Sequence, residues 1–161
     1  MRGSSRSHWI GFLGWLAAVV ATAALGALAS TDAAAFYAML DRPAWAPPAR
    51  VFGPAWSVLY TLMLVAVCIV WRRAPHNRVA FVLFGAQLVA NALWSWLFFA
   101  WHQGALAAWE VLVLLVLIAL TVRAFWRESR LAAALMLPCL LWVSFASALT
   151  WSVWQRNPNL L

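Results

Sequence analysis

The sequence predicts an all-α integral membrane protein, a single domain over residues 1–161 whose five helices span the lipid bilayer. Three observations predict this fold. Hydrophobic residues make up 66% of the chain and charged residues only 9%, whereas about 25% of an ordinary soluble domain is charged. Five apolar runs reach the roughly 20 residues that a helix needs to cross the hydrocarbon core. No run alternates with the period of two expected of barrel strands.

The spans must be helical because lipid offers no hydrogen-bond partner to a backbone N–H or C=O group. The first run is longer than the roughly 7–15 apolar residues of a secretory signal, so it is predicted to be a retained helix. In chain order, the five spans are predicted at residues 9–29, 52–71, 79–100, 105–125 and 131–154.

The connections between the spans differ in length. Three are short polar turns, whereas the first, residues 30–51, is long and contains Pro43, Pro47 and Pro48. A loop much longer than its neighbours in a compact domain is usually functional. We therefore expect the first loop to take part in function.

The distribution of arginine predicts the orientation in the membrane. All 11 basic residues are arginine, and cytoplasmic connections collect positive charge. The bias places the N-terminus in the cytoplasm and the first loop outside, as in a bacterial inner membrane. Because the arginines occupy gaps between spans, nucleic acid is not an expected partner. One side holds Arg2, Arg6, Arg72, Arg73, Arg78, Arg123, Arg127 and Arg130, and the other Arg42, Arg50 and Arg156.

Motifs for metal binding and catalysis are absent from the sequence. Cys68 and Cys139 lie inside apolar runs without a CxxC partner, and no two histidines are at metal-ligand spacing. The chain has no phosphate-binding glycine loop, HExxH motif or nucleophile elbow. We expect no metal, no obligatory cofactor and no catalytic residues.

Thirteen tryptophans divide into two groups. One group lies near the helix ends, where tryptophan typically forms the interfacial aromatic belt. Its members are Trp9, Trp71, Trp101, Trp126 and Trp154.

Other aromatic residues lie deeper and share helix faces with polar groups, at spacings that align on one side of a helix. Such faces can enclose an apolar ligand cavity, but their amides can equally tie helices together. The faces are Trp56, Tyr60 and Met63 on the second span; Gln87, Asn91, Trp94 and Phe98 on the third; and Pro138, Trp142, Ala146 and Leu149 on the fifth.

Glu110 is the one acidic residue inside a predicted span. A carboxylate inside a membrane span is costly and usually has a function, so a functional role for Glu110 is one hypothesis. The alternative is that Glu110, which lies close to Gly104 in sequence, reaches the membrane interface.

Several of these segments together resemble the TspO/MBR family, which comprises the bacterial tryptophan-rich sensory proteins and the mitochondrial translocator protein, or peripheral benzodiazepine receptor. The resemblance covers nearly the whole chain after the first helix, in order and spacing. It is carried by Phe36 to Pro48 (FYAMLDRPAWAPP), Phe52, Trp56, Leu59-Tyr60, Met63, Gln87-Leu88, Asn91, Trp94-Ser95, Phe98-Phe99, Pro138 to Ala146 and Trp154.

The resemblance implies a five-helix bundle, usually a homodimer, with a ligand cavity capped by the first loop. It implies binding of porphyrins such as protoporphyrin IX, of haem, of sterols and of benzodiazepine-type drugs. The ligand-binding positions that it assigns are Tyr37, Pro47, Phe52, Trp56, Tyr60, Gln87, Asn91, Trp94, Trp142 and Ala146.

The chain departs from the family at three places. Pro138-Cys139 stands where the family has Pro-Tyr, and Leu149-Thr150 where it has Leu-Asn. The sterol-contact pattern of some members has a tyrosine where Trp151 lies here, and such patterns are weak even when complete. A porphyrin is therefore the favoured ligand over a sterol.

Three functions remain as hypotheses. The first is a binding protein for the transport, sensing or regulation of tetrapyrroles. The second is an enzyme that degrades porphyrin with light and oxygen, and the third is an accessory subunit of a membrane complex. For the homodimer, small residues allow helices to approach closely, but they do not select one interface. The candidates are Gly11, Gly14, Ala18 and Gly26 on the first helix, and Gly85 and Ala86 on the third.

Overall fold

The structure is a computed structural model that describes the backbone from Gly3 to Leu161 and the side chains from Trp9 onward. The side chains of Arg2 and Arg6, which contribute to the predicted orientation, lie outside the described residues.

The described chain forms six α-helices, five of which are long and apolar enough to cross a membrane. A 3₁₀ turn, Ala49–Val51, leads into the third helix, and a π-helical turn, Trp96–Ala100, extends the fourth. The five predicted spans are confirmed, with ends that differ by a few residues. The helices are α1 (Gly3–Ala29), α2 (Ala33–Met39), α3 (Phe52–Arg73), α4 (Arg78–Ser95), α5 (Gly104–Glu128) and α6 (Arg130–Arg156).

The five long helices pack as a closed ring in the order α1, α3, α6, α5, α4. Although α3 and α4 are consecutive in the chain, they are not neighbours in this ring. Their side chains meet across the interior instead, where Tyr60 reaches Asn91 and Gln87 reaches the Met63 sulfur. The centre of the bundle is therefore partly polar.

The first loop, predicted as a long connection, contains a short helix, because its alanine-rich start forms α2. Phe36 and Tyr37 on this helix are buried. The ring of Phe36 packs on His102 at a centroid distance of 4.2 Å. His102 itself has a φ of 52°, which is uncommon for a residue other than glycine. This contact holds α2 against the connection between α4 and α5.

The second anchor of the loop lies at the C-terminal end of α6. The Asn157 side-chain oxygen accepts a hydrogen bond from the Asp41 backbone N–H at 2.8 Å, and its Nδ2 donates to the Asp41 carbonyl at 2.9 Å. Arg156 also lies 3.8 Å from the Asp41 carboxylate. The loop is thus fastened across the end of the bundle.

Only some of the tryptophans near the helix ends have the exposure expected of an interfacial aromatic belt. Trp9, Trp101 and Trp126 are more than half exposed, as expected of an interfacial belt. The indole of Trp71 instead packs directly on Gly11, where a Cβ atom would overlap the ring. Trp71 is therefore a packing residue between α3 and α1.

The glycines considered for a dimer interface also differ in environment. Gly11 is covered by Trp71, and Gly26 faces Ser95 and Tyr60 inside the chain. A Cβ atom on Gly14 or Gly85 would meet nothing within 4 Å. Only these last two glycines leave space for a second helix, and the homodimer stays a prediction.

Candidate functional site

A cavity of about 670 Å³ lies between α1, α2, α3 and α4, beneath the first loop. Its volume is in the range of roughly 300–1,000 Å³ that small-molecule sites occupy. Ala27, Gly53 and Ser57 line it and are also exposed. The cavity therefore opens between α1 and α3.

The α1 wall of the cavity consists of small residues. Ala23, Gly26, Ala27 and Ser30 face it at helical spacing. A Cβ atom on Gly26 would lie 3.5 Å from the Ser95 hydroxyl oxygen and 3.8 Å from that of Tyr60. This wall therefore contributes no large side chain to the cavity, and at Gly26 it approaches the polar groups of α3 and α4 closely.

The α3 wall is aromatic. The rings of Trp56 and Tyr60, which are one helical turn apart, lie 5.5 Å from each other with an interplanar angle of 33°. Phe52, at the start of the same helix, also lines the cavity. This wall offers ring faces against which a flat apolar molecule can stack.

Trp94 and Phe99 form the α4 side of the cavity. Trp94 is stacked on Phe98 at 5.5 Å and 12°, and Phe99 meets Trp94 edge-on at 5.7 Å. Phe98 and Phe99 belong to the π-helical turn, whose extra residue changes the direction of the side chains that follow; such turns are frequent at functional sites.

The polar groups around the cavity are incompletely paired. The Tyr60 hydroxyl donates to the Asn91 side-chain oxygen at 2.5 Å, which leaves the phenol oxygen free to accept. Trp94 is 8% exposed, and its buried indole N–H has no partner among the described residues. An unpaired buried donor costs about 1–3 kcal/mol, a cost that the packing of Trp94 on Phe98 and Phe99 helps to offset.

Tyr37 closes the cavity on the side of the loop. Its hydroxyl donates to the Pro47 carbonyl at 3.1 Å, and its ring meets Phe52 edge-on at 5.4 Å. The Arg42 guanidinium lies 4.7 Å from the ring centroid, within cation–π range. Burial raises the pKa of Tyr37 above its ordinary value, and the nearby Arg42 charge opposes part of this rise. The hydroxyl therefore stays a neutral donor at physiological pH.

Seven of the ten predicted ligand-binding residues line this cavity or form a hydrogen bond with a residue that does. Pro47 holds Tyr37, and Asn91 holds Tyr60. The five that line it are Tyr37, Phe52, Trp56, Tyr60 and Trp94.

The remaining three, Gln87, Trp142 and Ala146, do not line this cavity. Gln87 is fully buried at the centre of the ring, with its Nε2 3.5 Å from the Met63 sulfur. Trp142 lies on α6 and meets Phe52 edge-on at 6.0 Å. We expected faces of α3, α4 and α6 to enclose the ligand, whereas α1 and α2 take the place of α6. A role for these three residues in binding stays a prediction.

Twelve residues that line the cavity were not among the predicted binding positions: Ala23, Gly26, Ala27, Ser30, Ala33, Ala34, Ala49, Arg50, Gly53, Ser57, Ser95 and Phe99. Small and hydroxyl residues carry no distinctive signal in a membrane helix. Phe99 and Ser95 adjoin predicted positions, but helical spacing alone does not place them on the cavity side.

Glu110 lies on α5, outside the walls of the cavity. Both of its carboxyl oxygens are buried and lack a hydrogen-bond partner among the residues that the structure describes. A function for Glu110 stays a prediction, and it is separate from this site.

The fold and the cavity define a class: five-helix membrane proteins with an aromatic-walled internal cavity beneath a proline-containing loop. The chain belongs to the TspO/MBR family, whose model matches residues 15–155. This confirms the resemblance seen in the sequence.

Similar proteins come from bacteria and from animals. The "Tryptophan-rich protein TspO" of Chlorobaculum tepidum is 38% identical over 127 residues, which cover 76% of this chain and 80% of that protein. The "Tryptophan-rich sensory protein" of Cereibacter sphaeroides is 36% identical over 151 residues, 94% of each chain. The human "Translocator protein" is 34% identical over 126 residues, 76% of this chain and 75% of that one. The last two names refer to sensing and to translocation, and none of the three names an enzyme, which fits a protein that is not an enzyme.

Proposed function

We propose that this protein binds a porphyrin, such as protoporphyrin IX or haem, in the cavity between α1 and α4, and that it serves the transport, sensing or regulation of tetrapyrroles. The observation that carries this proposal is the aromatic lining of a 670 Å³ cavity by Trp56, Tyr60 and Trp94.

The shape and chemistry of the cavity suit a flat ring system. Each favourable aromatic pair contributes about 0.5–1.5 kcal/mol beyond the burial of area, and three lining rings offer several such pairs. The residues of α1 on the opposite side are small, so no large side chain of that helix blocks the approach of a flat ring to the aromatic wall.

The opening between α1 and α3 supports a ligand that is soluble in lipid. The exposed residues Ala27, Gly53 and Ser57 along it are uncharged, and the one charged residue in the lining, Arg50, lies at the outer end of the cavity. An apolar ring dissolved in the membrane can therefore reach the cavity sideways. The names of the relatives, which refer to translocation and to sensing, favour movement or detection of such a ligand over its chemical conversion.

Binding is tested by quenching of tryptophan fluorescence when protoporphyrin IX is added to the purified protein in nanodiscs. We expect saturable quenching at micromolar concentrations. Gly26→Phe places a ring in the cavity and should abolish it. Gly14→Phe is the matched control on the same helix, since a Cβ there meets nothing within 4 Å.

A second variant tests the same site by removing a side chain, so that the conclusion does not depend on the correct folding of Gly26→Phe. Trp56→Ala removes a stacking surface and should weaken binding about tenfold, whereas Trp9→Ala, at an exposed position, should not. Unchanged affinity in both Gly26→Phe and Trp56→Ala would refute binding in this cavity. Illumination of the porphyrin complex with and without oxygen, followed by analysis of the porphyrin, separates binding from degradation. Oxygen-dependent loss of porphyrin with the wild-type protein, but not with Gly26→Phe, would favour the enzyme.

A further inference from the structure

The two ends of the cavity differ in charge, and this difference has a consequence for the orientation of the ligand proposed above. Arg50 lies at the outer end, on the 3₁₀ turn that precedes α3. At the inner end the lining residues that carry polar groups are Tyr60, Trp94 and Ser95, all of which are neutral.

The backbone fixes the place of Arg50. Pro48 has an extended conformation, and its carbonyl accepts a hydrogen bond from Val51 N–H at 3.0 Å, which closes the turn around Arg50. Two successive prolines restrict the chain before this turn. The guanidinium is therefore presented at the mouth of the cavity by a stiff segment.

Arg50 differs from the other two arginines on this side of the bundle. Arg42 lies over the ring of Tyr37, and Arg156 pairs with Asp41. Neither lines the cavity. Arg50 lines it and has no ion-pair partner among the described residues, so its charge is available to a ligand.

The inner end is suited to an uncharged part of the ligand. Trp94 is more than nine-tenths buried, and no charged residue lines the cavity beside it. From Phe52 to Tyr60 the wall is about 12 Å deep at 1.5 Å per residue. A carboxylate placed at that depth would lose its hydration without gaining a cation, which is strongly unfavourable.

We propose that the cavity selects amphipathic planar ligands that carry a carboxylate on one edge, and that it holds them in one orientation, with the carboxylate on Arg50 at the mouth and the ring beside Trp94 at the inner end. This inference rests on the proposed porphyrin binding and names the residue that recognises the charged edge.

The test compares protoporphyrin IX with its dimethyl ester, which keeps the ring and removes both charges. Titrations use nanodiscs of zwitterionic lipid, so that the membrane surface does not repel the acid. A guanidinium–carboxylate contact is a strong, charge-assisted bond. We expect the wild-type protein to bind the acid about tenfold more tightly than the ester.

Three variants then separate the two ends of the cavity. Arg50→Gln should lose most of the preference for the acid, and Arg50→Lys should retain part of it. Arg156→Gln removes the same charge from the same side and should leave the preference unchanged. Trp94→Phe should weaken binding of the acid and of the ester by the same factor of a few, so that the ratio of the two affinities is preserved.

The outcomes distinguish this inference from the proposed function. Equal affinity of the wild-type protein for acid and ester, or an unchanged preference in Arg50→Gln, would overturn the inference while blockage by Gly26→Phe still supported binding in the cavity. If neither porphyrin bound saturably, both proposals would be wrong.

Discussion

Replacement of Asn157 by alanine should release the first loop from the end of the bundle. The Asn157 side chain is 6% exposed and makes three hydrogen bonds. Two of them join it to the backbone N–H and C=O of Asp41, and the third, at 2.7 Å, goes to the carbonyl of Val153 within its own helix. Only the first two hold the loop.

The magnitude follows from those two bonds. A hydrogen bond contributes about 0.5–1.5 kcal/mol net, and water can replace the lost partners because Asp41 is exposed. The alanine variant should therefore favour the detached loop by about 1–3 kcal/mol, which is roughly a fivefold to 150-fold change in its population. The ion pair of Arg156 is exposed and adds little.

Hydrogen exchange of backbone amides measures this opening. Amides of the loop around Asp41 should exchange faster by the same factor in Asn157→Ala, while amides in the middle of α3 and α6 should not change, since the opening is local. Asn159→Ala is the matched control, because Asn159 is exposed nearby. Loop amides that exchange equally fast in both variants would refute the anchoring role of Asn157.

Two further predictions concern packing and orientation. Gly11→Ala should lower the melting temperature in nanodiscs, because its Cβ would overlap the indole of Trp71, and overpacking typically costs about 1–3 kcal/mol. Gly14→Ala is the control and should not lower it, since the space around Gly14 is open. Equal melting temperatures of the two variants would contradict the contact between Gly11 and Trp71. With the N-terminus in the cytoplasm and five spans, alkaline phosphatase fused to the C-terminus should be active and a fluorescent protein fused there should be dark; the reverse pattern would invalidate the orientation predicted from arginine.

The helices themselves were predictable from the sequence because each span is long, apolar and bounded by polar turns. The observed spans, such as Gly104–Glu128 and Arg130–Arg156, agree with predictions based only on length and hydropathy. The turn between these two is short because Ser129 caps α6, with its side-chain oxygen accepting from the Ala132 N–H at 3.3 Å. Such signals are local, so the sequence contains them in full.

The site was predictable in part. Trp56 and Tyr60 share a helix face by spacing alone, and both line the cavity. Trp142 shares a face with Ala146 in the same way, yet it packs on Phe52 away from the cavity. Periodicity identifies the side of a helix that carries distinctive residues, but it does not identify the helix that this side meets.

By itself, the sequence determined the number of spans, their limits to within a few residues and the resemblance to a family. Only the tertiary structure decided the ring order of the helices, the position of Gly26 in the cavity wall and the packing of Trp71 against Gly11. The physical reason is that lipid is as apolar as a protein interior. In water, a hydrophobic residue signals burial; in a membrane, it is equally stable facing lipid, a neighbouring helix or a ligand, and the packing of the whole bundle makes the choice.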